Sequence, residues 1–221
     1  MAGHRGETSA RRMVQKKEGN DNRQDTWSKS MDDVGQLAIQ TVVWICGHSI
    51  VFWAHTHAYR LPKSLQLDFG DEAILSWHAR RGMSWNQLIP LPYAVRASQR
   101  SPDIIVVHLG ENNLGMLKGV ELMLRARQHS GLILELFAGV NIVWSDMLQH
   151  RAWREAMSPP SMDKARRYVN REVAKFLGTI GGAVISHPWH SIWGSRVVLG
   201  GWGSPVQLAC CHVFNRYKRR H

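Results

Sequence analysis

The sequence predicts an α/β fold of three layers, in which helices cover both faces of a central parallel sheet of five strands. Five short apolar runs, rich in Val and Ile, predict the strands: TVVWIC (41–46), AILSWHA (73–79), DIIVVHLG (103–110), NIVWSDM (141–147) and AVISHP (183–188). Each gap between them is long enough for a helix and its loops, which is the rhythm of βαβ units. Their near-continuous apolar character is typical of strands buried on both faces of a parallel sheet.

The chain of 221 residues is long enough for one domain with its own core and short for two. Residues 1–38 are polar and mixed in charge, and they predict a disordered or flexible N-terminal arm. We expect the folded domain at residues 39–208 and a basic tail at residues 209–221. The N-terminus has no apolar signal segment and the three cysteines have no CxxC spacing, so we expect an intracellular, cytoplasmic location.

The first strand continues into GHSIVFWAHTHAY, and the whole segment from Val34 to Tyr59 contains no Asp, Glu, Lys or Arg. Its length would suffice to cross a bilayer. However, Gly47 interrupts it, and its polar side chains would be costly in hydrocarbon. A strand that ends in a glycine turn and leads into a helix explains both features. We therefore predict a strand-turn-helix unit and no membrane span.

Ser49 follows the glycine turn directly. In the predicted unit it lies at the carboxyl end of the first strand and the amino end of the helix, where open parallel sheets bind ligands. The N–H groups at a helix start also stabilise developing negative charge. From position and residue type, Ser49 is either the N-cap of the helix or a nucleophile, and both interpretations stay open.

The later elements carry two further glycine turns and one amphipathic helix. WHARRGMSW after the second strand contains Gly82, and HLGENNLG after the third strand contains Gly110. Before the fifth strand, SMDKARRYVNREVAKFLGTIGG has apolar residues at helical spacing with charges on the opposite face, so it predicts a helix. Ser158 or Ser161 can cap that helix.

These strings resemble, in their order along the chain, the motif blocks of the SGNH (GDSL-type) hydrolases. In that family the first strand is followed by GDS, the second by a glycine and the third by GxND; here GHS ends at Ser49, the glycine is Gly82, and GENN spans Gly110 to Asn113. More closely, WHARRGMSW, HLGENNLG and IVWSDMLQHRAWR resemble the SGNH-like domains of vertebrate retroelement-type open reading frames. The resemblance covers residues 40–190 and implies the flavodoxin-like strand order.

The chemistry that this resemblance implies is the hydrolysis of a carboxylic ester, with a small ester as substrate and no cofactor. Ser49 would attack the carbonyl carbon. The backbone N–H groups of Ser49 and Gly82 and the side-chain amide of Asn112 would hold the oxyanion. In the family a histidine acts as the base and an aspartate orients it.

The chain departs from the family pattern at several positions. His48 stands where the family has the Asp of GDS, and Asn113 where it has the Asp of GxND, which puts the geometry of the oxyanion loops in doubt. The closing DxxH aligns with SPVQLA, so that Ser204 replaces the acid and Gln207 the base, and no Asp or Glu follows Glu172. Because glutamine cannot accept the serine proton, a general-base contribution of about 10²–10⁴-fold would be lost, and we expect impaired turnover.

Three histidines could still supply a base from elsewhere in the C-terminal region: His187, His190 and His212, with Asp146 as a remote orienting group. His190, in the string HPWH after the fifth strand, is the candidate that we carry forward.

No metal site is expected among the histidines of the first helix. His55 and His57 are two residues apart and face different directions, whereas His48 and His55 share a face two turns apart. No carboxylate or cysteine set completes either pair in the sequence.

A second hypothesis comes from charge. The formal net charge is +11, and the chain ends in RYKRRH, residues 216–221. A basic patch of this kind can bind nucleic acid, which would suit a non-catalytic nucleic-acid-binding or interaction module of a mobile-element-derived protein. The other interpretation of the same residues is a solvated tail without a dedicated partner.

Overall fold

A computed structural model of the chain describes residues 40–60, 64–67, 69–96, 100–150, 153 and 158–187. The predicted arm (1–38) and basic tail (209–221) lie outside these residues, so the domain boundaries stay predictions. Four of the singled-out side chains also lie outside them: His190, Ser204, Gln207 and His212.

Strands and helices alternate through the described part of the chain. The elements are β1 (Thr41–Gly47), α1 (Ser49–Tyr59), β2 (Ala73–Ala79), α2 (Pro90–Arg96), β3 (Ile104–His108), α3 (Gly119–Leu136), β4 (Asn141–Ser145), α4 (Pro159–Thr179) and β5 (Ala183–Ile185). Two short 3₁₀ turns, Ser64–Gln66 and Trp85–Gln87, lie in the connections. All five predicted strands are therefore present.

The five strands form one parallel sheet in the order β2-β1-β3-β4-β5. This confirms the predicted three-layer α/β fold and its flavodoxin-like strand order. Strands β3, β4 and β5 are shorter than the apolar runs that predicted them, because the chain leaves the sheet after His108, Ser145 and Ile185. The residues that follow those three positions form the loops at the carboxyl edge of the sheet.

Both faces of the sheet are covered, and β1 shows this by its alternation. Val42, Trp44 and Cys46 belong to the core cluster that contains residues of α3 and α4, whereas Val43 and Ile45 belong to the cluster that contains Val51 of α1. All five side chains are buried. The lack of charge in this segment therefore reflects burial in a protein core.

The described residues include no helix that is both long enough and apolar enough to cross a membrane.

The turn between β1 and α1 depends on Gly47. A Cβ atom at this position would overlap Cγ2 of Val51 and lie 2.9 Å from the carbonyl oxygen of His108. Only glycine allows α1 to pack this closely against the end of β1 and β3. The tight turn fixes the position of the two residues that follow, His48 and Ser49.

The predicted amphipathic helix is α4, which begins after Ser158. Val169 and Val173 are buried against the sheet, which confirms the face predicted from the sequence. Neither of the two candidate serines caps the helix through its side chain: Ser158 occupies the N-cap position without a side-chain hydrogen bond. Instead, its hydroxyl lies 3.0 Å from that of Ser161.

Candidate active site

The loops that follow β1, β2 and β3 begin at one edge of the sheet. Gly47 is in register with Ala79 of β2 and with His108 of β3. Because the three strands are parallel, the segments that carry Ser49, Gly82 and Asn112 all start at this carboxyl edge, where parallel sheets bind ligands.

Ser49 is the first residue of α1, and the N-cap is His48. The Nδ1 atom of His48 accepts a hydrogen bond from the N–H of Ile50 at 3.4 Å. The N-cap interpretation of Ser49 is therefore wrong, because the residue before it supplies the capping acceptor. The Oγ atom of Ser49 lies 3.4 Å from the same Nδ1. Ser49 is partly exposed, whereas His48 is 1% exposed.

Glu111 completes a buried cluster that the sequence did not predict. Its Oε2 atom lies 2.6 Å from Nε2 of His48. Its Oε1 atom accepts a hydrogen bond from the N–H of Leu148 at 3.1 Å and lies 3.3 Å from Nε2 of His108. No carboxylate was expected to complete the pair of His48 and His55; Glu111 lies beside His48 together with His108. Glu111 was missed because it occupies the variable position of GxND, for which the resemblance implies no role.

The cluster combines one buried carboxylate with buried imidazoles. Burial alone would raise the pKa of Glu111, but the attraction of His108 and His48 and their hydrogen bonds bring that pKa well below its usual value. Burial alone would lower the pKa of His108, but the attraction and hydrogen bond of Glu111, with a further hydrogen bond that the imidazole donates to the backbone of Ser145, raise it. The two directions agree: each group favours the charged form of the other.

The polar contacts continue from His108 to the ends of β4 and β5. Nδ1 of His108 lies 2.9 Å from Oγ of Ser145, and the same Oγ lies 2.8 Å from Nε2 of His187. His187, a predicted candidate base, is thus joined to the cluster through Ser145. Asp146 was predicted to orient this histidine. Burial raises the pKa of the Asp146 carboxyl, and its interactions with Ser186 and Arg166 lower that pKa in part.

Hydrogen bonds connect the loops that carry two of the three predicted oxyanion positions, Gly82 and Asn112. Gly82 lies in the turn after β2 with φ +71°, a conformation that favours glycine. Nδ2 of Asn112 donates to the carbonyl oxygen of the next residue, Met83, at 3.0 Å. Oδ1 of Asn113 accepts the N–H of Trp85 at 3.1 Å. The amide oxygen of Asn113 therefore holds this loop in place of the family's aspartate.

His48, His108 and Glu111 also have the composition of a metal site, since their ligand atoms lie within 4.8 Å of one another. Two histidines and one carboxylate are a ligand set that zinc uses in proteins. In this structure the ligand atoms contact one another directly: His48 Nε2 lies 2.6 Å from Glu111 Oε2.

Another histidine of the first helix, His55, stacks on Trp77 with 5.4 Å between the ring centroids.

Comparison with solved structures identifies the fold as one used by ester hydrolases of the GDSL type. A GDSL-like lipase from Bacteroides thetaiotaomicron VPI-5482 superposes with a TM-score of 0.58 at 10% identity, over 80% of this chain and 89% of that one. A Bacteroides fragilis NCTC 9343 protein described as an acylhydrolase gives a TM-score of 0.58 at 10% identity, over 82% and 89%. A mutant of the esterase AlinE4 gives 0.50 at 15% identity, over 84% and 96%. The shared fold agrees with the resemblance read from the motif blocks.

The sequence matches no protein-family model and no curated protein.

Proposed function

We propose that this domain hydrolyses carboxylic esters of small molecules through Ser49. The observation that carries the proposal is the place of Ser49, as the first residue of α1 directly after β1. Its side chain is partly exposed, and its hydroxyl is not used to cap the helix, because His48 does so. A hydroxyl held at this edge of a parallel sheet is in the position of a nucleophile. The fold shared with GDSL-type hydrolases supports the same role.

Three N–H donors are assigned to the oxyanion that forms when Ser49 attacks a carbonyl carbon. The first N–H groups of α1 have no intrahelical partner, so the N–H of Ser49 is available to an oxygen. The N–H of Gly82 and the second amide hydrogen of Asn112, whose first is bound to Met83, are the other two. Donors placed where charge develops stabilise the transition state more than the ground state.

We further propose that turnover is slow compared with that of an enzyme that has the family's closing DxxH. The positions aligned with that motif hold Ser204 and Gln207, neither of which can accept a proton from Ser49 at neutral pH. A serine hydrolase without the closing Asp-His pair retains the contribution of its oxyanion donors and of substrate binding. Detectable hydrolysis at a reduced rate is therefore the expected behaviour.

Hydrolysis of p-nitrophenyl acetate and butyrate by the wild type and by Ser49→Ala tests the proposal. We expect a rate above the buffer background that Ser49→Ala abolishes. Ser101→Ala is the matched control, since Ser101 is an exposed serine before β3, and it should hydrolyse the esters at the wild-type rate. Equal rates for wild type and Ser49→Ala would exclude ester hydrolysis through Ser49.

The basic segment RYKRRH, residues 216–221, supports a second candidate function, binding of nucleic acid. The resemblance to retroelement-type domains favours the same class of partner. Removal of residues 216–221 should weaken salt-dependent binding of single-stranded RNA, and Ser49→Ala should leave that binding unchanged. No binding at low salt would exclude this function.

A further inference from the structure

We propose that His48 is the general base that activates Ser49 and that Glu111 orients it, in place of the family's closing Asp-His pair. This inference rests on the proposed role of Ser49 as the nucleophile. The three side chains form one line of contacts: Ser49 Oγ lies 3.4 Å from His48 Nδ1, and His48 Nε2 lies 2.6 Å from Glu111 Oε2. A nucleophile, a base and an orienting carboxylate in this order have the roles of a catalytic triad.

Glu111 determines which nitrogen of His48 carries the proton. An ionised carboxylate can only accept hydrogen bonds, so the 2.6 Å contact requires a proton on Nε2 of His48. The other nitrogen, Nδ1, then carries an electron pair that can accept a proton. Both the N of Ile50 and Oγ of Ser49 lie 3.4 Å from this nitrogen, so transfer of the Ser49 proton to Nδ1 requires its long contact with the N–H of Ile50 to give way.

A histidine acts as a general base in its neutral form. The neutral tautomer that the Glu111 contact favours carries its proton on Nε2 and leaves Nδ1, 3.4 Å from Ser49 Oγ, as the acceptor.

The base and its orienting carboxylate are buried, whereas the nucleophile is partly exposed. His48 is 1% exposed and Glu111 is 6% exposed, whereas Ser49 is partly exposed. A substrate can therefore reach the hydroxyl while the base stays beneath it. The distance of 3.4 Å is long for a hydrogen bond, but catalytic hydrogen bonds commonly shorten only when substrate is bound.

The proton follows a balanced path through both half-reactions. As Ser49 Oγ bonds to the ester carbon, its proton moves to Nδ1 of His48, and Glu111 stabilises the imidazolium that forms. When the bond to the leaving alkoxide breaks, that oxygen takes the proton from Nδ1 and departs as the alcohol. Water then attacks the acyl group and gives a proton to Nδ1, which returns it to Ser49 Oγ as the acid is released.

The alternative is that His48 only caps α1, and the variant His48→Asn separates the two roles. Asparagine is among the best N-cap residues, but its amide cannot take up a proton. We expect His48→Asn to keep the helical signal of the wild type and to lose about 10²–10⁴-fold of the Ser49-dependent hydrolysis of p-nitrophenyl butyrate. His57→Gln, in the same helix, is the control, and its expected rate is that of the wild type. Unchanged hydrolysis in His48→Asn, or a loss of that size in His190→Gln, which would place the base outside this pair, would overturn the inference.

Nitrogen-15 chemical shifts of the His48 ring test the same inference without relying on activity or on a folded variant. We expect Nε2 protonated and Nδ1 unprotonated in the wild type at neutral pH. A proton on Nδ1 would overturn the inference, whatever the rates are. If the wild type shows no Ser49-dependent hydrolysis, the proposed function fails by itself, and the chemical shifts then decide whether His48 has the state of a base.

Discussion

His48 and Glu111 are 63 positions apart in the sequence, yet their side chains meet at 2.6 Å beneath the candidate nucleophile. The contact joins the turn after β1 to the loop after β3, and both partners are buried. It also links the GHS and GENN segments, which differ from the GDS and GxND motifs that they resemble. Most of the predictions below concern this pair.

The first prediction concerns Glu111→Gln. A glutamine amide can donate as well as accept, so it no longer requires the proton of His48 to sit on Nε2. We expect the Ser49-dependent rate to fall by about 10²–10⁴-fold, as is typical when an oriented base is disturbed. The measurement is the rate of p-nitrophenyl butyrate hydrolysis, together with the nitrogen-15 shifts of His48, which should no longer show a single tautomer.

Glu121→Gln is the matched control for that experiment. Glu121 is an exposed residue of α3 that pairs with Arg125 at 2.8 Å, so its loss removes a surface ion pair of small value. Its rate should equal that of the wild type. A Glu111→Gln variant that keeps both the wild-type rate and the Nε2–H tautomer would contradict a positioning role for Glu111.

The second prediction concerns stability against pH. The pKa of Glu111 is brought well below its usual value of 4.5. The contribution of the Glu111 carboxylate to the free energy of unfolding is therefore fully present above pH 4.5 and is lost as the pH falls below 4.5. The pKa of His108 is raised above its usual value of 6.5, so its contribution is fully present below pH 6.5 and is lost as the pH rises through the raised value. The pair therefore stabilises the fold most between pH 4.5 and 6.5.

Urea denaturation of the wild type and Glu111→Gln across this range measures the effect. The difference in unfolding free energy between the two proteins should be largest inside the window and should shrink on both sides. Both proteins share Asp146, whose pKa burial raises. The pKa of His150, which burial lowers, is raised in part by Glu111, so the change at His150 belongs to the measured difference. A difference that does not vary with pH would contradict the ion pair between Glu111 and His108.

The third prediction concerns the turn that presents Ser49. Gly47→Ala places a methyl group against Val51 and the carbonyl oxygen of His108, and overpacking of this kind costs about 1–3 kcal/mol. Thermal or urea denaturation should show that loss, and Val51→Ala in the same chain should restore part of it. Gly131→Ala, in α3, is the control. A Cβ atom added at Gly131 has no other atom within 4 Å, so the substitution should stabilise the protein by about 0.4–1 kcal/mol. Equal stability for Gly47→Ala and the wild type would contradict the close approach.

The fourth prediction concerns metal. Since His48 and Glu111 bond to each other directly, removal of metal with EDTA should leave Ser49-dependent hydrolysis unchanged. Loss of hydrolysis with EDTA and its recovery with Zn²⁺ would instead assign His48, His108 and Glu111 to a metal site. The same samples, assayed for bound zinc before and after dialysis, provide the control.

The fold was predictable from the sequence because parallel strands buried on both faces leave a local signal. TVVWIC and DIIVVHLG are apolar at nearly every position, so their positions could be predicted without any knowledge of partners. The ends of β3 and β4 were harder, since the apolar run continues into loop residues such as Leu109 and Met147, which are buried in the core without belonging to a strand.

The candidate site was predictable only in part. The glycine turn and the motif order pointed to Ser49, Gly82 and Asn112, because each follows a strand and depends on nearby residues. The role of Glu111 depends on a contact with His48 between the ends of two strands, and the two residues are too far apart in the sequence for a local pattern to pair them. The sequence contained one indication. His48 stands where the GDS motif has an aspartate, and GENN contains an acid, Glu111. A site that loses one carboxylate and gains another can keep its pairing through different residues.

Covalent labelling with a fluorophosphonate tests the central claim, that His48 activates Ser49, most directly. The reagent phosphonylates an activated serine and needs no knowledge of the natural substrate. We expect mass spectrometry to find the adduct on Ser49 of the wild type, and His48→Asn to react at least about 10²-fold more slowly while remaining folded. An adduct on another serine, or equal labelling rates for the wild type and His48→Asn, would contradict it.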